Sequence, residues 1–299
     1  MCDRYFVLIT GASRGFGKAV AEELARQAAP EHALDMVLTA RSESGLQATA
    51  EAIEDIVRGL PRAGEVTIRR ESIDLEDLDT LEACLAGLLA EIDPRRYSRA
   101  VLFNNAATFA YVGAANQLPS LASLRKDIDL NVTSSIWITS CFARIFGAHK
   151  RWETPAASGG EGGSGDGRDV GPGDARPRVP YAGNVVVNVS SLSSMTANEF
   201  WPLYSAGKAA RQMYHRVLAL EQKNLDGLKV LNYSPGVMDT DMSTHVGQHP
   251  LYANQVMEFV DTRETAGKCV RLALANAFAN GAHIDVNDEE PSAPPAGTS

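Results

Sequence analysis

Short apolar runs alternate along the chain with longer stretches whose apolar residues recur every third or fourth position. The first run, "YFVLI" at 5–9, is β-branched and aromatic enough for a buried strand. It passes through Thr10, Gly11, Ala12, Ser13, Arg14, Gly15, Phe16 and Gly17 into a helical pattern marked by Val20 and Leu24. The same alternation predicts strands at 35–41, 65–74, 99–107, 184–191 and 228–236, with helices at 45–60, 78–92, within 120–149 and at 204–222. Near the carboxyl end, His283 and Asp285 alternate with Ile284 and Val286, which predicts a short edge strand. Continuously apolar strands separated by helices predict one doubly wound α/β domain, a Rossmann-type parallel sheet covered on both faces, over residues 1–287.

Two stretches break the pattern. Residues 154–180 are dominated by Gly, Pro, Ser and charge and offer almost nothing to bury, so a disordered insertion is expected there. The tail at 288–299 has the same character.

Composition narrows the function class. With 299 residues and a net charge of −9, the chain has no sustained basic block, which argues against nucleic acid or an anionic membrane surface as partner. Its four cysteines have neither metal-ligand nor disulfide-framework spacing, as expected of a reduced, cytoplasmic protein. No apolar run reaches the roughly 20 residues of a membrane span. The first strand begins too early to leave room for a signal peptide. His245 and His249 have the i, i+4 spacing of a helical zinc pair, but no third ligand accompanies them, and no metal is expected.

The candidate chemistry gathers at the carboxyl ends of the predicted strands, where a parallel sheet presents its ligand crevice. Glycines between the first strand and helix suit a phosphate held at the helix amino terminus. Tyr204 and Lys208, four apart at the start of a helix, share a face. A nearby ammonium lowers a phenol's pKa, which makes a proton donor for carbonyl chemistry. Ser190 and Ser191 end the fifth strand, Asn104 and Asn105 the fourth, and Pro235 and Gly236 the sixth, with Asn131 in a flanking helix.

The glycine motif, "NNAA", the strand-end serine, "YSAGK" and "SPG", in this order and spacing, resemble the short-chain dehydrogenase/reductase family over about residues 4–287 outside the insertion. More narrowly, "RVLALEQ", "VLNYSPGVMDTDM" and "GAHIDV" resemble the sepiapterin reductase branch of that family. The resemblance implies an NADPH-dependent carbonyl reductase acting on side-chain ketones of pterins, as in tetrahydrobiopterin synthesis. Tyr204 is then the general acid, Lys208 binds the nicotinamide ribose and depresses the tyrosine pKa, Ser191 holds the substrate carbonyl, and Asn131 completes a proton relay through water. The cofactor is expected against Gly11, Ser13, Arg14, Gly15, Phe16, Gly17, Arg41, Ser42, Asn105 and Lys208, with Asp74 and Leu75 at the adenine. Met238, Asp239, Thr240, Asp241, Met242 and Ser243 are expected to close over the nicotinamide end, within a substrate lid at 237–260. Leu192, Gly236 and Asp285 join Ser191 and Tyr204 in the substrate site, Asp285 as the carboxylate that anchors the pterin ring. The helix around Trp137 and Phe142 is implied to contribute to the core and to a homodimer contact. One departure stands out: Ala107 replaces the glycine of the usual N-N-A-G, and strains the backbone if φ is positive there.

The second strand ends in Ala40-Arg41-Ser42 and not in the acidic residue that binds ribose hydroxyls in NAD sites. Arg41 and Arg14 suit a 2′-phosphate, so NADPH is the expected cofactor. Two alternatives remain at this stage: the same mechanism applied to small diketones or aromatic ketones, and a non-catalytic NADP sensor. An intact Ser191-Tyr204-Lys208 set argues against the sensor, which needs only the nucleotide site.

Overall fold

A computed structural model of the protein describes residues 3–147, 183–223, 227–252 and 258–291. Element order is β1 (Arg4–Thr10), α1 (Gly15–Ala28), β2 (Ala33–Ala40), α2 (Glu43–Gly59), β3 (Val66–Ser72), α3 (Leu78–Ala90), β4 (Arg99–Asn104), α4 (Leu121–Ile128), a π-helical turn (Asp129–Ser134), α5 (Ser135–Phe146), β5 (Asn184–Val189), α6 (Pro202–Gln222), β6 (Leu228–Ser234), α7 (Asp241–Gly247), α8 (Thr262–Ala275) and β7 (His283–Asp285). The strands form one parallel sheet in the order β3-β2-β1-β4-β5-β6-β7. The chain thus winds outward from β1 to β3, returns beside β1 at β4, and winds outward again. The expected doubly wound fold is present, with its switch point between β1 and β4.

Two cores sandwich the sheet. Val7, Ile9, Leu38, Phe103, Val187, Tyr233 and Ile284 pack under α1, α2 and α8. Their neighbours Phe6, Leu8, Leu102, Val186 and Val230 pack under α3, α5 and α6. Both faces of the central strands are covered, which is why these strands read as unbroken apolar runs. β4 and β5, which flank the segment at 154–180, are neighbours in the one sheet. That segment lies outside the described residues, but its flanks meet: Asn184 Nδ2 donates to the Phe146 carbonyl at 2.8 Å.

The strands end earlier than their apolar runs predict. β4 stops at Asn104 because Asn105 and Ala106 give their N–H groups to Thr10 Oγ1, both at 2.9 Å, and not to a neighbouring strand. β5 stops at Val189 and β6 at Ser234, so Ser191, Pro235 and Gly236 lie on the loops beyond. Of the tail expected at 288–299, residues 288–291 lie among the described residues and are held in place. Lys268 Nζ donates to the carbonyls of Val286 (2.8 Å) and Asp288, and Arg271 pairs with Glu290 at 2.6 Å. Charge-assisted bonds from α8 therefore hold the start of a segment whose composition alone predicts disorder. No helix among the described residues is long and apolar enough to cross a membrane.

Candidate active site

Pro202, whose missing N–H costs nothing in the first helical turn, opens α6 and sets Tyr204 close to its amino end. One turn later Lys208 lies on the same face. Tyr204 shares a hydrogen bond with Ser191, whose own hydroxyl accepts the Ser193 N–H at 3.1 Å and caps the turn after β5. Lys208 is 3% exposed; its ammonium donates to the Val189 carbonyl at 2.7 Å and stands 5.5 Å from the centre of the Tyr204 ring. Ser191, Tyr204 and Lys208 are thus brought together.

One expectation fails here. Burial raises the Tyr204 pKa above its ordinary value, against the opposing hydrogen bond from Ser191 and the charge of Arg211. Lys208 is itself pushed well below the ordinary lysine value, by burial first and then by Arg211, and so is a weaker counter-charge than its spacing suggests.

Asn131 lies in the π-helical turn between α4 and α5, 1% exposed. Its Oδ1 accepts the Thr108 N–H at 2.9 Å, and its Nδ2 donates to the Thr108 carbonyl (3.0 Å) and to Asp127 Oδ1 (2.6 Å). That engages both of the amide's donors and one lone pair of Oδ1, leaving the second lone pair and the main-chain carbonyl for the water of the expected relay. The amide also ties the loop after β4 to the helix. Asp127, 2% exposed and raised in pKa by burial, holds it in place.

The glycine loop forms a cradle. Gly11 and Gly15 have φ of +68° and +54°, which side-chain-bearing residues rarely adopt. A Cβ at Gly17 would lie 2.3 Å from the Gly11 carbonyl oxygen and 2.6 Å from Asn105 Nδ2. Asn105 spans the loop from beneath, donating to the Thr10 carbonyl at 2.8 Å. No side chain caps the amino terminus of α1, whose N–H groups are left for an anion. These residues fit the pyrophosphate of a dinucleotide. Ala107 carries no strain, because Phe200 and Asn276 are the non-glycine residues of positive φ among those described.

Other expected cofactor residues are already engaged. Arg14 pairs with Asp241, and Arg41 with Glu76 at 3.3 Å. Ser42 caps α2 through the Gly45 N–H. Asp74 accepts the Glu76 N–H, while Leu75 turns its side chain into the core, leaving only its main chain for a cofactor. Thr240 and Ser243 cap α7 reciprocally, and Ser243 Oγ donates to the Met238 carbonyl at 2.6 Å. Met238 bridges to Val260, so the 237–260 segment is tied at its base, while 253–257 lie outside the described residues. Asp239 and Met242 are exposed beside it.

Asp285 ends β7 opposite Ser234 of β6 and is 7% exposed. Its Oδ1 accepts the N–H and the side-chain amide of Asn287 at 3.0 and 2.9 Å, while its buried Oδ2 has no partner. Between it and Ser191 runs a polar row the sequence does not announce: His283 meets Ser234 and Gln212, and Gln212 meets Ser190 and Ser194. Exposed Leu192, Met195 and Val237 and the aromatic group Phe109, Trp201, Tyr204 and Tyr252 supply apolar surface around the Tyr204 end. Phe200, at φ +66°, leads into that group. Of these aromatics, Trp201 and Tyr204 share the stretch "EFWPLY", while Phe109 and Tyr252 reach it from distant loops that no local pattern joins to it.

Residues 5–151 and 181–250 match the short-chain dehydrogenase family. The chain belongs to that family. It is accordingly an NAD(P)-dependent oxidoreductase acting on carbonyl or hydroxyl groups. It is 32% identical to a sepiapterin reductase of Meriones unguiculatus, over 94% of this chain and 95% of the relative. It is 29% identical to that of Xenopus laevis, with the same coverage. A benzil reductase of Bacillus subtilis is 26% identical over 79% of this chain and 75% of its own length. Among solved structures, a gluconate 5-dehydrogenase from Beutenbergia cavernae with bound NADP superposes with a TM-score of 0.68 at 20% identity, covering 94% of both chains. That likeness speaks for the fold.

Proposed function

We propose that this dehydrogenase reduces a side-chain ketone of a pterin with NADPH. The observation that carries the reading is Asp285, a buried carboxylate with one unpartnered oxygen at the carboxyl edge of the sheet. Its strand is the second from β5, whose end leads to Ser191, so two strand spacings, about 10 Å, separate them. A bicyclic ring that bears an amino group and an adjacent N–H, with a ketone on a short side chain, spans this gap. Asp285 Oδ2 would accept from the ring while Ser191 and Tyr204 take the ketone oxygen. The sepiapterin reductase relatives support the same substrate class.

The dinucleotide, when bound, supplies the hydride. Gly11, Gly15, Gly17 and the open amino terminus of α1 hold its pyrophosphate, and Lys208 meets the nicotinamide ribose. Arg14 and Arg41, with no acidic residue at the end of β2, favour a 2′-phosphate, for which Asp241 and Glu76 are the present competitors. Ser191 donates to the ketone oxygen and sets its position; Tyr204, kept protonated by burial, delivers the proton as negative charge develops there.

A second reading keeps the mechanism and takes a small diketone or aromatic ketone. The apolar rim of Leu192 and Met195 and the benzil reductase relatives favour it. NADPH oxidation measured against ketone-bearing pterins and against diketones separates the two. Turnover confined to diketones removes the pterin reading, and binding without turnover of either leaves an NADP sensor. The exposed row Met213, Val217 and Leu220 on α6 suits a second copy of the chain, to be tested by sedimentation.

A further inference from the structure

The α6 face that carries Tyr204 and Lys208 continues to Arg211, one turn beyond Lys208, and this arginine is fully buried at 0% exposure. Its Nη2 donates to the Asn104 carbonyl at 2.6 Å, its Nη1 to the Ala106 carbonyl at 2.9 Å, and its Nε to Asn188 Oδ1 at 3.1 Å. All three acceptors are neutral, and among the described residues no carboxylate pairs with it. A buried guanidinium without a counter-ion is costly, and an apolar side chain of similar size would hold α6 to the sheet more cheaply. The fork makes sense for two reasons. It joins the ends of β4 and β5, one strand over from the switch point, and it grips the "NNAA" loop by the carbonyl next to Ala107. It also places a permanent charge about 10 Å along the helix from Tyr204.

We propose that Arg211 is a positioning residue of the active site, clamping the loop after β4 and standing as a fixed positive charge behind the Tyr204–Lys208 pair. This rests on the reductase reading, in which Tyr204 is the proton donor. The groups that titrate around the pair are few. His215, the next turn of α6, is held down to about 3 by burial and is neutral. Asp127 on α4 is raised by burial and bonded to Asn131, and Tyr252 stands beyond Trp201. Lys208 is the softer cation of the pair, its affinity for a proton lowered by burial and by Arg211. Arg211, though lowered by burial, still titrates only at about 10 and stays charged through neutral pH. At that separation a fixed charge moves a neighbour's titration by on the order of one pH unit.

The test compares Arg211→Gln, which keeps hydrogen-bonding groups but loses the charge, with Arg211→Lys, which keeps a charge but loses the fork. In the cofactor-free protein, Lys208 is followed by NMR of isotope-labelled lysine; in the holoenzyme, the pH profile of ketone reduction is followed to its descending limb. In Arg211→Gln both the Lys208 titration and the limb are expected to move up by about one pH unit. In Arg211→Lys both are expected to stay near the parent values while nucleotide binding weakens several-fold, because the loop is no longer gripped. A folded Arg211→Gln with the parent's titration and limb overturns the proposal. If that variant does not fold, Arg211→Lys decides: nucleotide binding at the parent's strength in that folded variant overturns the proposal. Tyr204→Phe keeps the two readings apart: if it turns over like the parent, the assignment of the proton donor has failed, whereas an inactive Tyr204→Phe beside an unmoved Arg211→Gln profile removes only the role given to Arg211.

Discussion

Arg14 of the glycine loop and Asp241 at the first position of α7 form an ion pair that ties that loop to α7. Both side chains are largely exposed, so the pair itself contributes little, about 0.2–1 kcal/mol. Under the NADPH reading its consequence is competition: the carboxylate occupies a guanidinium proposed for the 2′-phosphate. Asp241→Asn is expected to tighten NADPH up to about fivefold and leave NADH unchanged, in fluorescence titrations of both nucleotides. Weaker NADPH binding would place Asp241 on the cofactor itself. Arg14→Ala combined with Arg41→Ala should weaken NADPH far more than NADH.

Tyr204→Phe removes a hydroxyl and little volume. NADPH binding is expected to survive while turnover falls by about a hundredfold or more, the range of general acid catalysis. Because burial raises the Tyr204 pKa, the donor is protonated throughout the neutral range, so reduction should be flat through neutrality and decline only at high pH. A steep decline between pH 6 and 8 would contradict the sign of that shift.

Asp285→Ala is expected to cost on the order of 2–4 kcal/mol in kcat/KM for a pterin ketone, as when a buried polar partner is removed. A small diketone lacks ring donors and should lose little. Lys268 holds the turn after Asp285 by three main-chain carbonyls, so Lys268→Met should reproduce the substrate split in weaker form. Equal losses for both substrates would indicate a misfolded turn.

His215 has no access to water. Its Nδ1–H donates to the Arg211 carbonyl at 2.7 Å, which leaves Nε2 to accept from Thr139 at 3.0 Å. Its pKa is lowered from 6.5 to about 3, so below pH 6.5 the unfolded chain binds a proton there that the folded chain refuses. Stability is therefore lost as pH falls, by about 2 kcal/mol from this residue at pH 5. Urea unfolding at pH 7 and pH 5 should show that difference in the parent and a smaller one in His215→Gln. An identical difference in both would assign the acid sensitivity elsewhere.

Replacing residues 154–180 with a short turn is expected to leave kcat/KM unchanged. The flanking ends already meet through Asn184 and Phe146 at the amino end of β5, opposite the crevice. Loss of activity in a folded variant would mean that the segment reaches the site or a partner.

Periodicity alone determined the sheet and most of its helices, though not α7 or the covering helix α8, because a strand buried on both faces must be apolar throughout and a covering helix carries an apolar stripe. It also located the crevice, since glycines, strand-end serine and Tyr204-Lys208 all fall where strands give way to loops. The same signal overran the strand ends: apolar character says that Val189 and Tyr233 are buried, but only the neighbouring strand decides where pairing stops. Tertiary structure alone decided the charges. The spacing of Tyr204 and Lys208 implies a lowered tyrosine pKa, yet burial of both groups reverses the sign, and the buried Arg211 beside them carries no mark in the sequence that separates it from any other helical arginine. Asn131 is likewise visible as a residue but not as a clamp, because its partners Thr108 and Asp127 meet it only once the π-helical turn is formed. Burial and long-range hydrogen bonds are properties of the packed chain, and no local pattern encodes them.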